Sequence, residues 1–147
     1  MIEFGQPLSD RTYALRPGAY GVLVDSLSRI LVVETNSGRF YLPGGGIETN
    51  ETAEQALVRE FVEEAGLKVA CGYEFAAAVQ FVHCLDEPNG YRKACSFFLV
   101  EPAYESLRTL EEHQVHWLNH EHAQRAVHED AHRWAIGQID VDTCLDK

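Results

Sequence analysis

The chain has 147 residues, a normal length for one domain and short for two. Hydrophobic residues make up 46% of it, enough to build a core and to exclude global disorder. A formal net charge of -11, from 23 acidic against 12 basic residues, argues against a nucleic-acid backbone or an anionic membrane as the main partner. It does not exclude a phosphate-bearing small molecule, because bound cations invert the local field.

Residues 1–16 read as an N-terminal arm. They contain no basic stretch followed by an apolar run, so no signal peptide is expected. No apolar run approaches the ~20 residues that span a bilayer. The four cysteines, Cys71, Cys84, Cys95 and Cys144, form no CxxC pair and read as free thiols of a reducing compartment. A cytoplasmic location follows as the expectation.

Two β-rich runs, Ala19–Asp25 and Ile30–Glu34, flank the short polar segment Ser26–Arg29, a pattern that predicts a hairpin. Phe40–Leu42 is brief and apolar, and Pro43-Gly44-Gly45-Gly46 after it predicts a loop. A helix is predicted over Thr52–Ala65. Thr52 and Gln55 fit a capping box, and Gly66 fits the stop. Two long β-like runs follow, Glu74–Leu85 and Tyr91–Glu101, joined by the turn formers Asp86-Glu87-Pro88-Asn89-Gly90. Gln114–Leu118 reads as a last strand and Glu121–Gly137 as a terminal helix with Val127, Ala131, Trp134 and Ala135 near one face. This order predicts an α/β sandwich with a mixed sheet.

The chemistry concentrates in residues 45–67. Glu60, Glu63 and Glu64 stand at i, i+3 and i+4, on one face of the predicted helix. Val58, Phe61, Val62 and Ala65 fall on the other side, which is expected to bury. Three carboxylates so close repel one another unless a cation joins them. Mg2+ is such a cation, taking carboxylate oxygens together with water and substrate phosphates. A solvated acidic helix face is the plain alternative. The glycine run ahead of the helix, which lets backbone approach a ligand, and the further acids Glu48 and Glu51 weigh against it.

Gly45, five residues, Glu51, seven residues, and then Arg59-Glu60-Phe61-Val62-Glu63-Glu64-Ala65-Gly66-Leu67 resembles the signature box of the Nudix hydrolase family. Every glycine, arginine and glutamate of that pattern is matched. Phe61 departs from it, standing where an aliphatic residue is usual, and so does Asn50, where glycine is frequent. Phe61 falls on the buried side, so repacking rather than lost chemistry is expected. Asn50 tolerates the left-handed backbone better than most residues. The resemblance implies the Nudix-type α/β/α sandwich over about residues 18–136. It implies a metal-dependent hydrolase in which water attacks phosphorus in a nucleoside-diphosphate-linked or nucleoside-triphosphate substrate.

Carried over residue by residue, the resemblance implies metal ligation by Glu60 and Glu64. Glu63 is a further ligand or the general base, and the Gly45 carbonyl joins the metal. Arg59 orients the box glutamates and Glu51 supports Arg59. Mg2+ is the implied cofactor, with Mn2+ as a substitute. Glu111 and Glu112, just before the last predicted strand and Trp117, are the competing candidates for the base, with a solvated acidic turn as their plain reading. Arg16, Tyr41 and Phe81 are candidates for substrate contact, alongside Tyr91, Arg92 and Lys93; core packing or a solvated strand face is the competing reading for each. The resemblance admits a homodimer. A member of the fold that binds nucleotide without catalysis is the alternative reading.

Val82 and His83 stand where ADP-ribose cleavers carry proline. His83, Cys84 and Leu85 stand where diadenosine-polyphosphate cleavers carry tyrosine, so neither subgroup is favoured. His128-Glu129-Asp130-Ala131-His132 matches HExxH, the zinc-protease helix pattern. It lies near the C-terminus with no third ligand at a recognised spacing, and reads as accidental. His113, His116, His120 and His122 read as surface or edge residues.

Overall fold

The computed structural model describes residues 1–83, 89–103 and 114–140, and the backbone alone of 104–106. Its strands are β1 (Ile2–Phe4), β2 (Tyr13–Val22), β3 (Arg29–Glu34), β4 (Phe40–Tyr41), β5 (Gly44–Gly46), β6 (Leu67–His83), β7 (Gly90–Ser106) and β8 (Gln114–Asn119). Its helices are α1 (Ala53–Ala65), α2 (His120–Ala126) and α3 (Asp130–Gly137). One sheet runs β1-β6-β7-β2-β5 and a second runs β4-β3-β8. The larger sheet is mixed: β1 on β6 and β2 on β7 are parallel, whereas β6 on β7 and β2 on β5 are antiparallel.

Alternation along the strands supplies two cores. On one side Tyr20, Val22, Cys95 and Phe97 meet Ala123, Val127, Ala131 and Ile136 of the C-terminal region. On the other, Ala19, Leu23, Phe98 and Val100 meet Ala56, Leu57 and Phe61 of α1. Helical layers on both faces of a sheet agree with the sandwich read from the sequence.

α1 has the expected ends. Thr52 Oγ1 accepts from Gln55 N at 3.1 Å while Gln55 Oε1 accepts from Thr52 N at 2.9 Å. Gly66, at φ 64°, donates its N–H to the carbonyls of Phe61 and Val62. Phe61 is fully buried. It fits because Gly21 of β2 has no side chain: a Cβ there would stand 2.7 Å from its ring. Asn50 takes the left-handed conformation at φ 68°.

Four expectations are corrected. The arm belongs to the sheet, because β1 pairs with β6 and β2 already begins at Tyr13. The hairpin is only a tight connection: Asp25 N bonds Arg29 O and Val24 bridges Ile30, but β2 and β3 then part into different sheets. The Gly44-Gly45-Gly46 segment is an edge strand on Gly18–Tyr20 rather than a loop. The terminal helix is two helices, divided where extended Val127 bridges Phe40 and His128 N bonds the Phe40 carbonyl.

Candidate active site

The edge strand β5 delivers the glycines to the start and face of α1. Glu64 Oε1 accepts from Gly44 N at 2.8 Å, and the Glu64 side chain is buried. The acidic and buried faces of α1 therefore overlap at Glu64 instead of lying opposite each other. The Glu60 carboxyl lies against the next glycine: a Cβ on Gly45 would stand 2.6 Å from Glu60 Oε1. The two glutamates thus converge on consecutive glycines.

Arg59 ties the remaining acids together. Its Nε donates to Glu51 Oε2 at 2.8 Å and its Nη2 to Glu51 Oε1 at 3.0 Å, a two-point grip. Nη1 donates to Glu60 Oε1 at 3.0 Å and Glu63 Oε2 at 3.2 Å, and Nη2 reaches the Gly46 carbonyl at 3.1 Å. The bond from Arg59, followed by that from the Glu48 N–H, holds the Glu51 carboxyl down at about 2. The Arg59 guanidinium is raised in turn, chiefly by its bond to Glu51; burial opposes this, and the charge of Glu60 adds to the rise.

Three carboxyl groups around one guanidinium, with Glu64 on the same helix, make an oxygen-rich, hard donor set of the type that Mg2+ takes with one or two carboxylates and several waters. Among the described residues no three acidic, histidine or cysteine side chains stand together in a metal-holding arrangement. Glu60 and Glu64 are the carboxylates that converge on the Gly44-Gly45 backbone. The structure brings Glu51, Arg59, Glu60, Glu63, Glu64 and Gly45 into one site. Glu111 and Glu112 lie outside the described residues.

Beside this site lies a cavity of about 380 Å³, lined by Arg16, Tyr20, Tyr41, Tyr91, Lys93 and Glu129. Gly18 and Gly46 also line it, so it adjoins the residue whose carbonyl Arg59 holds. Arg16 and Tyr41 thus stand in the cavity. Phe81 is not among its lining residues and packs edge-on against Tyr13, with ring centroids 5.3 Å apart. The Arg16 guanidinium sits 3.8 Å from the Tyr91 ring centroid.

Sequence reading named Lys93 among the contact candidates but missed Glu129 as its partner in the cavity wall. Lys93 Nζ donates to Glu129 Oε1 at 2.6 Å and Oε2 at 3.0 Å. Burial works against the Lys93 charge, but Tyr20 and Glu129 more than offset it, so its ammonium is held above the usual range. No local spacing signals that partner, because Lys93 lies on β7 and Glu129 just ahead of α3.

The HExxH segment does not form one helix. His128 and Glu129 precede α3, and His132 lies within it. His132 is fully buried, packed against Tyr20, Tyr41 and Phe97, and its Nδ1 accepts from Leu42 N at 3.1 Å. Burial, followed by the charge of Lys93, pushes the imidazole well below its ordinary value near 6.5. The native state therefore refuses a proton that the unfolded chain accepts. Its contribution to stability is present above pH 6.5 and is lost as pH falls below it, by up to about 1.4 kcal/mol per pH unit. Urea midpoints measured from pH 7 to pH 5 are expected to fall. They should fall less in His132→Gln, whose amide oxygen still accepts from Leu42 N but does not titrate.

The family model for the NUDIX domain matches residues 14–136. The RNA pyrophosphohydrolase of Teredinibacter turnerae is 42% identical over 59 residues, covering 39% of this chain and 34% of that protein. The 8-oxo-dGTP diphosphatase of Proteus vulgaris is 41% identical over 56 residues, covering 35% of this chain and 50% of that protein. The matches thus span between a third and a half of these curated relatives. The solution structure of the E. coli ORF135 protein superposes with a TM-score of 0.67 at 21% identity over 96% of both chains, a likeness of fold.

Proposed function

From the premise that the chain belongs to the Nudix family, we propose that it is a Mg2+-dependent hydrolase cleaving a diphosphate bond in a nucleoside triphosphate or a nucleoside-diphosphate-linked molecule. The observation that carries this reading is the convergence of Glu60 and Glu64 on Gly44 and Gly45, beside a cavity that presents Arg16 and Lys93 in a chain of net charge -11. Phosphate groups are held next to the acids only if cations stand between them, and the base end of the molecule takes the cavity.

When bound, the metal neutralises phosphate oxygens and makes water more acidic. The chain's own residues do the rest. Glu60 and Glu64 would hold the cation. Arg59 keeps Glu60 and Glu63 at fixed spacing and is itself held by Glu51, so the site need not reorganise when charge develops. Arg16 draws the anionic end of the substrate toward the cavity mouth. The attacking water gives its proton to a glutamate, for which Glu63, Glu111 and Glu112 are the candidates. We place the activity in the cytoplasm, where the free thiols Cys71 and Cys95 remain reduced. Among the described residues no helix is long and apolar enough to cross a membrane.

A screen of nucleoside triphosphates, nucleotide sugars and dinucleoside polyphosphates with Mg2+ and with Mn2+, identifying both products, tests the reading. Metal-dependent release of pyrophosphate or of a nucleoside monophosphate is the expected result. Nucleotide binding with no product under either metal would replace the enzyme with a catalytically silent binding module.

A further inference from the structure

Resting on that reading, we propose that His132 is a positioning residue for the metal site: it holds the chain that enters the glycine strand, and so aims the Gly44 N–H at the Glu64 carboxyl. Nothing in the hydrolysis scheme uses this histidine. Yet its side chain is fully buried and reaches 90 positions back along the chain to accept from Leu42 N at 3.1 Å.

Leu42 and Pro43 form the crossing between the two sheets. β4 ends at Tyr41, paired with Val33 of the smaller sheet, and β5 starts at Gly44, paired with Tyr20 of the larger one. Both crossing residues are buried, so their polar backbone groups need partners within the protein. Pro43 has no N–H, and its carbonyl accepts from Gly21 N at 2.9 Å. The Leu42 N–H takes the histidine. The next N–H along the chain is that of Gly44, which donates to Glu64 Oε1 at 2.8 Å. Successive donors of one short segment are thus fixed by His132 at one end and by Glu64 at the other. The locked φ of the proline between them leaves few dihedrals to absorb a shift. β5 is three residues long and stands at the edge of its sheet, so an anchor at its entry counts for more than it would in a central strand.

Packing alone does not call for a histidine here. Tyr20, Tyr41 and Phe97 surround the ring with centroids 4.4, 6.0 and 5.6 Å away, a pocket that an apolar side chain would fill. With Nδ1 accepting, the neutral ring carries its proton on Nε2, a buried atom with no hydrogen-bond partner among the described residues. An unsatisfied buried donor lowers stability. What the ring adds over an apolar side chain is one acceptor, and that acceptor is directed at Leu42. Burial keeps the ring neutral and the Nδ1 lone pair available.

Three substitutions separate placement from packing. His132→Leu fills the pocket but removes the acceptor. His132→Asn carries Oδ1 on the same carbon that bears Nδ1, keeping the acceptor while leaving a void. Ile136→Ala opens a cavity in the same core without removing a hydrogen bond to Leu42. Mn2+ binding to the protein without nucleotide, followed by electron paramagnetic resonance, reads the metal site independently of turnover. The dissociation constant is expected to rise about tenfold in His132→Leu and to stay within about twofold of wild type in the other two, whatever their order in urea melts. Wild-type affinity in His132→Leu, or a loss in His132→Asn or Ile136→Ala equal to that in His132→Leu, overturns the proposal. If His132→Leu does not fold, an Mg2+ titration of the wild-type protein followed by NMR decides. The metal is then expected to shift the Leu42 amide and His132 Nδ1 resonances, and silence at both overturns the proposal. A wild-type protein that binds no Mn2+ and hydrolyses no nucleotide would sink the metal-dependent reading and this inference with it, whereas failure of the variants alone sinks only the inference.

Discussion

Glu64→Gln lowers Mg2+-dependent turnover by on the order of 10²- to 10³-fold while the protein keeps its fold and its melting temperature within a few degrees. The argument rests on what the amide preserves. Glu64 Oε1 accepts from Gly44 N at 2.8 Å, and the amide oxygen of glutamine accepts the same bond from the same place. The group lost is a charged oxygen donor for a hard cation, and a neutral amide is a poorer one. Steady-state kinetics across a Mg2+ titration, run beside circular dichroism, separates loss of metal affinity from loss of structure. Unchanged turnover at limiting Mg2+ would remove Glu64 from the metal site.

The second large effect is a contrast between neighbours. Gly44→Ala is expected to destabilise the fold by about 4 kcal/mol or more, whereas Gly45→Ala should leave the fold intact and lower activity about 10²-fold. Gly44 has φ 145°, a region that side-chain-bearing residues avoid, and a Cβ there would stand 2.2 Å from the Ala19 carbonyl oxygen and 2.6 Å from Tyr20 Cα. Both obstacles are backbone of the paired strand, so β5 must lift from β2 or the residue must strain. At Gly45 the obstacle is the end of the Glu60 side chain, which swings aside without disturbing the core. That swing takes a proposed metal ligand off its position. Urea melts of both variants, with kinetics on the soluble one, check the pair. A Gly45→Ala enzyme of normal activity would show that the Glu60 placement is not needed.

The box was legible because its information is local. Capping at Thr52 and Gln55, the stop at Gly66 and the i, i+3, i+4 glutamates all follow from helix geometry, which the chain fixes within a few residues. The tolerance of Phe61 was not legible, because the space it fills is opened by Gly21, forty positions away and in another element. The depth of Glu64 was equally hidden. Helix periodicity places it on the acidic face, but the sheet that α1 docks on extends far enough to cover it.

By itself the sequence determined the box helix, the acidic oxygen-rich character of its face, the strand-rich body around it and the family resemblance, all carried by short-range spacing and composition. Tertiary structure alone decided the rest. It made the three-glycine segment an edge strand, because Gly18–Tyr20 presents free backbone to it. It divided the terminal helix at Val127 and His128, where no glycine or proline signals a break, because pairing with Phe40 outweighs local helical preference. The same division turned an apparent HExxH helix motif into a buried histidine behind a cavity-lining glutamate, set against a lysine 36 positions away by sheet pairing and helix docking that no local spacing encodes.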